Sequence, residues 1–540
     1  MKQYGIFPSA KLGTPVQPVA ILVVSKKSTT AVITAKMKGE IRMNELLKGL
    51  KTNNNYGYTE NGGIKHTSTL DNVLDMFALG GSMRNRSDED IILMFKRAYK
   101  QDRTLALRCL FYLRDVRGGQ GERRFFRICI KWLANEYPHE MDHLISFVHE
   151  YGRWDDLFEL FGTPCESIMT SYVKTTLFEY KDHLLFKWMP SINASSKDTQ
   201  ARGRKFAAAF GMTEREYRKM LSWGRKACNL VETLMSQNRW DEIAFDKLPS
   251  KAGLLYKNAF IRREETRERY AEFMSDKKAT VNAGVLNPVD IAHQIFNHRY
   301  SVGKVERNAW QKYWDALPDY YGGKEEPGIA VVDVSGSMTG VPMEAAVSMG
   351  AYIAERGKGP FHNHFITFSD NPQLVEFEGV DIFDKFIRAQ DADWGGSTNI
   401  EAVFDMLLDT GRRNHVKPED MPKTIYIFSD MEFNGCISSG PRSYNRWGSP
   451  SRALTESQID TVIEAQIRKW RSFGYSAPRV IFWNLDARHN NIPAIGDKFS
   501  YVSGFSMNMV ECILSGKDGV DLMLEKLNSP RYIGISSFSF

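Results

Sequence analysis

Two hydrophobic periods divide the chain. From about residue 70 to about residue 190, apolar positions recur at the spacing that gives a helix one buried face. Ser87, followed by Asp88, Glu89 and Asp90, supplies a cap and an acidic first turn for a helix running to about residue 100. A second helix is expected over 104–116, broken by Gly118, Gly119 and Gly121. A third, over 122–136, sets Phe125, Phe126, Ile128, Ile130 and Leu133 toward one side. Shorter helical stretches at 141–149 and 155–161 flank the turn Tyr151-Gly152-Arg153-Trp154, and helical character continues over 167–187. Helices this short cannot each bury an apolar face alone, so they must pack in succession. The expectation is a stacked array of irregular, HEAT-like helical repeats.

Beyond residue 327 the period changes. Short apolar runs at 329–332, 364–368, 373–377, 424–428, 479–485 and 501–503 alternate with helical stretches at 343–354, 399–409, 456–473 and 506–514. Strands separated by helices specify a mostly parallel sheet covered on both faces, the α/β doubly wound fold. Such sheets bind ligands beyond the carboxyl ends of their strands. The chain therefore divides into an extended or mixed segment over 1–69, a helical-repeat domain over 70–324 and an α/β domain over 325–540. In the first segment, 20–24 and 30–33 read as short strands or extended arms, and 51–65, rich in Asn and Gly, as an exposed loop. Paired glycines at 322 and 323 mark the linker between the later two.

Composition agrees with several packed domains. The 540 residues are 42% apolar, with 32 Phe, 22 Tyr and 11 Trp, which is ample material for more than one core. The net charge of +6 conceals a split. Residues 1–324 carry 51 Lys and Arg against 37 Asp and Glu, a net of +14; residues 325–540 carry 20 against 28, a net of −8. A basic first part attracts polyanions, and an acidic second part suits a cation. No two of the six cysteines have CxxC spacing, so neither structural zinc nor a disulfide framework is expected. The apolar stretch 16–24 is too short to span a bilayer and lacks signal-peptide organisation, which leaves a cytoplasmic protein with no membrane partner as the expectation.

The sharpest chemical signal is Asp333-Val334-Ser335-Gly336-Ser337, placed directly after an apolar strand and before a helix. Asp333, Ser335 and Ser337 alternate, bringing one carboxylate and two hydroxyls toward one point, with Gly336 permitting the turn. Thr398, in Gly395-Gly396-Ser397-Thr398-Asn399, adds a hydroxyl, and Asp430, after the apolar run 424–428, a second carboxylate. The donors are all oxygen and two are anionic, so the expected ion is Mg²⁺, with Mn²⁺ or Ca²⁺ as alternatives. The competing reading is that each hydroxyl caps a helix and each carboxylate ends a strand.

This Asp-x-Ser-x-Ser, Thr and Asp set resembles the metal-ion-dependent adhesion site of von Willebrand factor type A domains, matching it at all five positions. The resemblance implies a doubly wound sheet and ligand capture, in which an acidic group of a partner protein completes the metal shell. Helical repeats followed by such a domain resemble the Ro autoantigen (TROVE) family, and more closely its uncharacterised TROVE-like relatives in cells and viruses. The phrases that carry this run from Arg114 to Arg123 (RDVRGGQGER), from Gly152 to Leu157 (GRWDDL) and from Val502 to Ser506 (VSGFS). The resemblance covers roughly residues 70–540. It implies a ribonucleoprotein scaffold whose helices bind small structured RNA and single-stranded RNA ends, with no residue-level motif to transfer.

The residues offer their own case for RNA. Arg202, Arg204, Lys205, Arg215, Arg218, Lys219, Arg225 and Lys226 cluster near Phe206, Phe210, Tyr217 and Trp223, cations for phosphates beside aromatics for unpaired bases. Arg114, Arg117, Arg123, Arg124 and Arg127 form a second candidate surface. The alternative for that surface is a packed turn in which Arg114 and Arg123 pair with Asp115 and Glu122. The loop Gly118-Gly119-Gln120-Gly121 lacks the GxxxxGK[ST] order of a phosphate loop. His362, His364, His489 and Cys436 show no base–nucleophile spacing, so no catalysis is expected. Two readings remain: an RNA-binding scaffold with a Mg²⁺-dependent ligand site, or a metal-dependent interaction or assembly factor, of cellular or viral origin, without RNA.

Overall fold

The computed structural model describes residues 55–179, 183–228, 230–298, 302–323, 327–390, 397–434, 461–517 and 519–536. The strands expected at 20–24 and 30–33 and the apolar stretch 16–24 lie outside the described residues, as do Gly395, Gly396 and Cys436. Where an exposed loop was expected, residues 56–66 instead form an antiparallel hairpin, β1 (Tyr56–Tyr58) and β2 (Ile64–His66), turned through Gly62 at φ 81°. Isolated bridges from Gly62 to Asn434 and from His66 to Ile492 dock it on distant loops. Those partners lie more than 350 residues away in sequence, so local pattern held no trace of them.

Helices then follow in succession and pack on their neighbours: Asn72–Leu79, Asp88–Gln101, Arg103–Arg114, Arg124–Glu136 and Pro138–Tyr151 make the first continuous group. The Ser87 cap forms as the sequence requires, its Oγ accepting from Asp90 N at 3.1 Å. Leu110, Phe111, Phe126, Ile130 and Leu133 are fully buried between these helices. Each such side chain stabilises the array by about 1.5–3 kcal/mol relative to exposure. The helical character expected over 167–187 takes the form of two helices, Glu166–Phe178 and His183–Trp188, and 154–160 is a 3-10 turn. The basic stretch that followed is also helical, as Lys197–Phe210 and Glu214–Ala227, the latter opened by a Thr213–Glu216 capping box. The array ends with Ser250–Arg262, Glu264–Ser275, Pro288–Phe296 and Lys304–Asp315.

The second half is a mixed six-stranded sheet in the order β5-β4-β3-β6-β7-β8. Its strands are β3 (Gly328–Asp333), β4 (His364–Phe368), β5 (Leu374–Glu376), β6 (Thr424–Ser429), β7 (Arg479–Asn484) and β8 (Phe499–Ser503). All neighbours are parallel except β4 and β5, joined by the short turn through Asn371 and Pro372. Every residue of β6 and β8 is buried, so both faces of the sheet are covered, as continuous apolar runs demand. Helix Val341–Arg356 packs on β3, β4 and β6, and lies closest to β3 at Gly350, where a Cβ would fall 2.3 Å from Val332 Cγ2.

From β3 the chain moves outward to β4, then returns to lay β6 on the other side of β3. That reversal opens a crevice at the carboxyl ends of β3 and β6, where doubly wound sheets hold ligands. Both ends of the helical array rest on this half: Asn72–Leu79 packs on β8, while Pro288–Phe296 packs on Val341–Arg356 and Lys304–Asp315 on Ile382–Gln390. The last helix, Pro530–Ile533, crosses back to pack on Arg103–Arg114. No helix among the described residues is long and apolar enough to cross a membrane.

Candidate metal centre

Asp333 ends β3 inside the crevice and is fully buried. Its Oδ1 accepts from Ser335 N at 2.9 Å, a turn that places the Ser335 and Ser337 hydroxyls 3.0 Å apart. Its Oδ2 accepts from Ser429 Oγ at 2.5 Å, across to the last residue of β6. Asp430 follows at once, 1% exposed, with Oδ1 held by Glu432 N at 3.0 Å. The intervening Met431 has φ 63°, a left-handed conformation that a side chain adopts only when its surroundings impose it. Backbone strain of this kind collects at binding sites.

Burial pushes the Asp333 carboxyl up to about 7, with the neighbouring Asp430 charge adding to the rise. Two buried carboxylates at one crevice leave a deficit of positive charge, met only in part by Arg488, whose Nη2 donates to Asp430 Oδ2 at 2.7 Å. The same guanidinium reaches Glu60 Oε2 at 3.1 Å.

Thr398 precedes helix Ile400–Arg413, which Asn399 caps by accepting from Ala402 N at 3.1 Å. The Thr398 hydroxyl donates to Asn434 Oδ1 at 2.7 Å and accepts from Asn61 Nδ2 at 2.9 Å. Asn61 also donates to Glu432 O at 2.6 Å, and Thr59 Oγ1 to Phe433 O at 2.5 Å. The hairpin tip thus ties the loop carrying Thr398 to the loop carrying Asp430. The structure groups Asp333, Ser335, Ser337 and Asp430 directly, and attaches Thr398 through Asn434 and Asn61. Sequence reading missed Ser429, Arg488, Asn61 and Asn434. Asp486 and Arg488, directly after the run 479–485, were the signal for Arg488; the hairpin gave none.

The donor set suits a hard divalent cation, with two carboxylates, three hydroxyls and no sulfur or imidazole. Buried polar atoms without partners support a solvated site: Ser397 Oγ beside Thr398, and both amide atoms of Asn484, the register partner of Ser429. On the rim, Glu60, Glu432 and His489 also bring ligand-type atoms within 4.8 Å of one another. That cluster is satisfied internally: Glu432 accepts from Glu60 N at 2.8 Å and contacts His489 Nδ1 at 2.9 Å.

The arginines proposed as an RNA surface are mostly committed elsewhere. Arg114 is 2% exposed and pairs with buried Asp156 at 2.7 Å, so it is removed from any surface. Its expected partner Asp115 instead meets Arg531 and accepts from Tyr532 Oη at 2.8 Å. Burial is the largest single influence and would raise the Asp115 carboxyl, but hydrogen bonds from Arg531, Arg117 N and Tyr532, together with the Arg531 charge, hold it below its usual value. Glu122 pairs with Arg84, not Arg123, at 3.1 Å. Arg124 pairs with Asp88, Arg127 with Asp155 and Asp156, Arg202 with Glu159 and Asp198, Arg204 with Glu214, and Lys205 with Glu166. Arg117 is exposed and donates to Glu150 O at 2.8 Å, and Arg123 is exposed. Among the described residues Arg225 has no carboxylate partner; it donates to Phe186 O, Ser191 Oγ and Met189 O. Of the aromatics set beside them, Phe206, Phe210 and Tyr217 are core; only Trp223 is largely exposed.

The family described as a domain of unknown function, DUF2828, matches residues 59–161 and 165–317, and a second domain of unknown function, DUF7788, matches residues 327–530. The crystal structure of Deinococcus radiodurans RO (RSR) protein is similar at a TM-score of 0.47 and 12% identity, covering 85% of this chain and 99% of that one. An uncharacterized protein of Acanthamoeba polyphaga mimivirus, L728, is 30% identical over 516 residues, 86% of this chain and 85% of that protein. The chain belongs to the family of that viral protein.

Proposed function

We propose that the α/β half binds a divalent cation, Mg²⁺ foremost, on Asp333, Ser335, Ser337, Thr398 and Asp430, and uses it to capture an oxygen-bearing acidic group of a partner. The observation that carries this is the pair of buried carboxylates at the β3–β6 crevice, one of them pushed toward neutrality by burial and by the other. The match to the adhesion site of von Willebrand factor type A domains supports the same reading. The bound ion supplies a Lewis-acidic anchor; the chain orients it through Ser429, Asn434 and Asn61. This is binding, not catalysis. Calorimetric titration of the metal-stripped protein with Mg²⁺ and Mn²⁺ is expected to show one site, abolished in Asp333→Ala. An unaltered wild-type baseline with both ions would sink the reading.

A second activity, RNA binding by the helical half, is favoured by its net charge, 41 Lys and Arg against 34 Asp and Glu over 70–324, and by Arg225, a partly buried cation with no carboxylate partner among the described residues. It predicts nucleic acid copurifying at low salt and leaving at high salt. Clean protein that ignores added RNA would exclude it.

A further inference from the structure

A pocket of about 380 Å³ opens between helix Glu214–Ala227, the turn at 191–193 and the short helix Val231–Ser236. Its volume lies in the range of small-ligand sites, roughly 300–1,000 Å³. Arg218, Arg225 and Lys226 enter its wall, with Ser191, Ser222 and Thr233 among the polar groups between them. Among the described residues no carboxylate lines it. The helix bears two carboxylates outside the pocket wall: Glu214, shared between Arg204 at 3.0 Å and Arg218 at 3.5 Å, and Glu216, taken up in capping Thr213.

Arg225 is the fixed element. Its Nε donates to Phe186 O at 3.1 Å, Nη1 to Ser191 Oγ at 2.7 Å and Nη2 to Met189 O at 2.6 Å. A guanidinium has five N–H donors, so two stay unused by these contacts. Burial lowers its pKa, and no carboxylate is among the groups that oppose the fall. A partly desolvated guanidinium without a counter-ion is costly to hold unless an anion arrives. Preorganised Arg donors, a second Arg, a Lys and hydroxyls at one concavity are the chemistry that recognises a phosphate group.

We infer that this pocket binds a phosphate group, with Arg225 as the preorganised donor and Arg218 and Lys226 as flexible partners. The pocket is larger than a phosphate alone requires, leaving room for what carries it, either a small phosphorylated molecule or the phosphorylated end of an RNA. It is independent of the metal reading and rests on the RNA reading only for the second source.

The test is titration of the full chain at constant ionic strength, with EDTA present to keep metal-bridged phosphate out. The probes are pyrophosphate and single-stranded RNA oligonucleotides bearing either a 5′-phosphate or a 5′-hydroxyl. Arg225→Gln removes bonds that hold the local fold, so the deciding variant is Arg218→Gln with Lys226→Gln, both outside the packed core. Saturable pyrophosphate binding, weakened about tenfold or more in that double variant, is expected from loss of charge-assisted bonds. Preference for the 5′-phosphorylated oligonucleotide identifies RNA ends as the source. Pyrophosphate binding without RNA binding keeps the pocket, assigns it to small ligands and removes the RNA reading. The inference is overturned if wild type fails to bind pyrophosphate at millimolar concentration, or if the double variant binds within about twofold of wild type.

Discussion

Burial and the neighbouring Asp430 charge favour the protonated form of Asp333, the form a cation would displace. Its carboxyl, raised from 3.8 to about 7 by burial and then by Asp430, binds a proton more tightly folded than unfolded. The folded state therefore holds more protons across that window, and metal-free stability falls as pH rises from about 4 to 7. Metal and proton compete for the same oxygens, so Mg²⁺ affinity is expected to rise roughly tenfold per pH unit below about 7, flattening above it. Calorimetry at pH 5.5, 6.5 and 8 reads this directly, and a pH-independent affinity would contradict it. Arg114 shows the opposite use of a charge. Its pair with Asp156 is closed to solvent, and Arg127 Nε supports the same carboxylate at 2.6 Å. Arg114→Met strips one of two cations from a buried anion and should cost about 3 kcal/mol, the low end for breaking such pairs, because Arg127 remains. Urea denaturation measures it, and a loss below about 1 kcal/mol would mean that Arg127 alone suffices. The sequence marked both residues as charged and important but could not separate them. Whether an arginine faces phosphate or a buried aspartate depends on Asp156, forty-two residues away.

At the level of elements, legibility followed how local the cause was. β3, β4, β6 and β7 were readable because buried parallel strands are continuous apolar runs closed by turn residues. Asp333 and Asp430 were readable with them, since a carboxylate just past such a run stands at the ligand end of the sheet. Helix Ile382–Gln390 was not identified: its nine residues put Ile382, Phe386 and Ala389 inward, too short a stretch for periodicity to stand out. Helices Lys197–Phe210 and Glu214–Ala227 hid behind their basic residues, though Ser196 and the Thr213–Glu216 box announce their starts. Close approach of one element to another gives a mechanical test of the proposed metal site. Gly350 lets helix Val341–Arg356 lie against Val332, the residue before Asp333. Gly350→Val would force helix and strand apart at a cost of about 1–3 kcal/mol. It would also shift Asp333, so Mg²⁺ binding should weaken in a variant that still folds. Retained affinity with lowered stability would show that the strand end is held from the β6 side, through Ser429.

At the scale of the molecule, the helical array is not an appendage to the sheet. Its first helix lies on β8, where Ser503 Oγ donates to Phe77 O at 3.1 Å and accepts from Gly81 N at 2.9 Å. Its last helices meet the opposite part of the sheet half, with Arg307 on Asp381 at 2.6 Å and His293 on Glu344 at 2.6 Å. Arg531 and Tyr532 return to buried Asp115, and the hairpin over 56–66 reaches the loops that carry Thr398 and Asp430. None of this could be inferred from composition, because each contact joins residues far apart whose pairing no local signal encodes. The consequence is cooperative unfolding. A metal bound at the crevice stabilises every element that must separate for Asp333 and Asp430 to part, which here includes helices from both ends of the array. Scanning calorimetry should show one principal transition, shifted as a whole by saturating Mg²⁺, with a gain of about 2.7 kcal/mol at a hundredfold excess over Kd. Two well-separated transitions, only one of them metal-sensitive, would mean that the halves fold independently and that these contacts are too weak to couple them. In the coupled case, Arg531→Ala should lower the single transition and the metal-bound transition alike, because Asp115 loses its neutralising partner in either state.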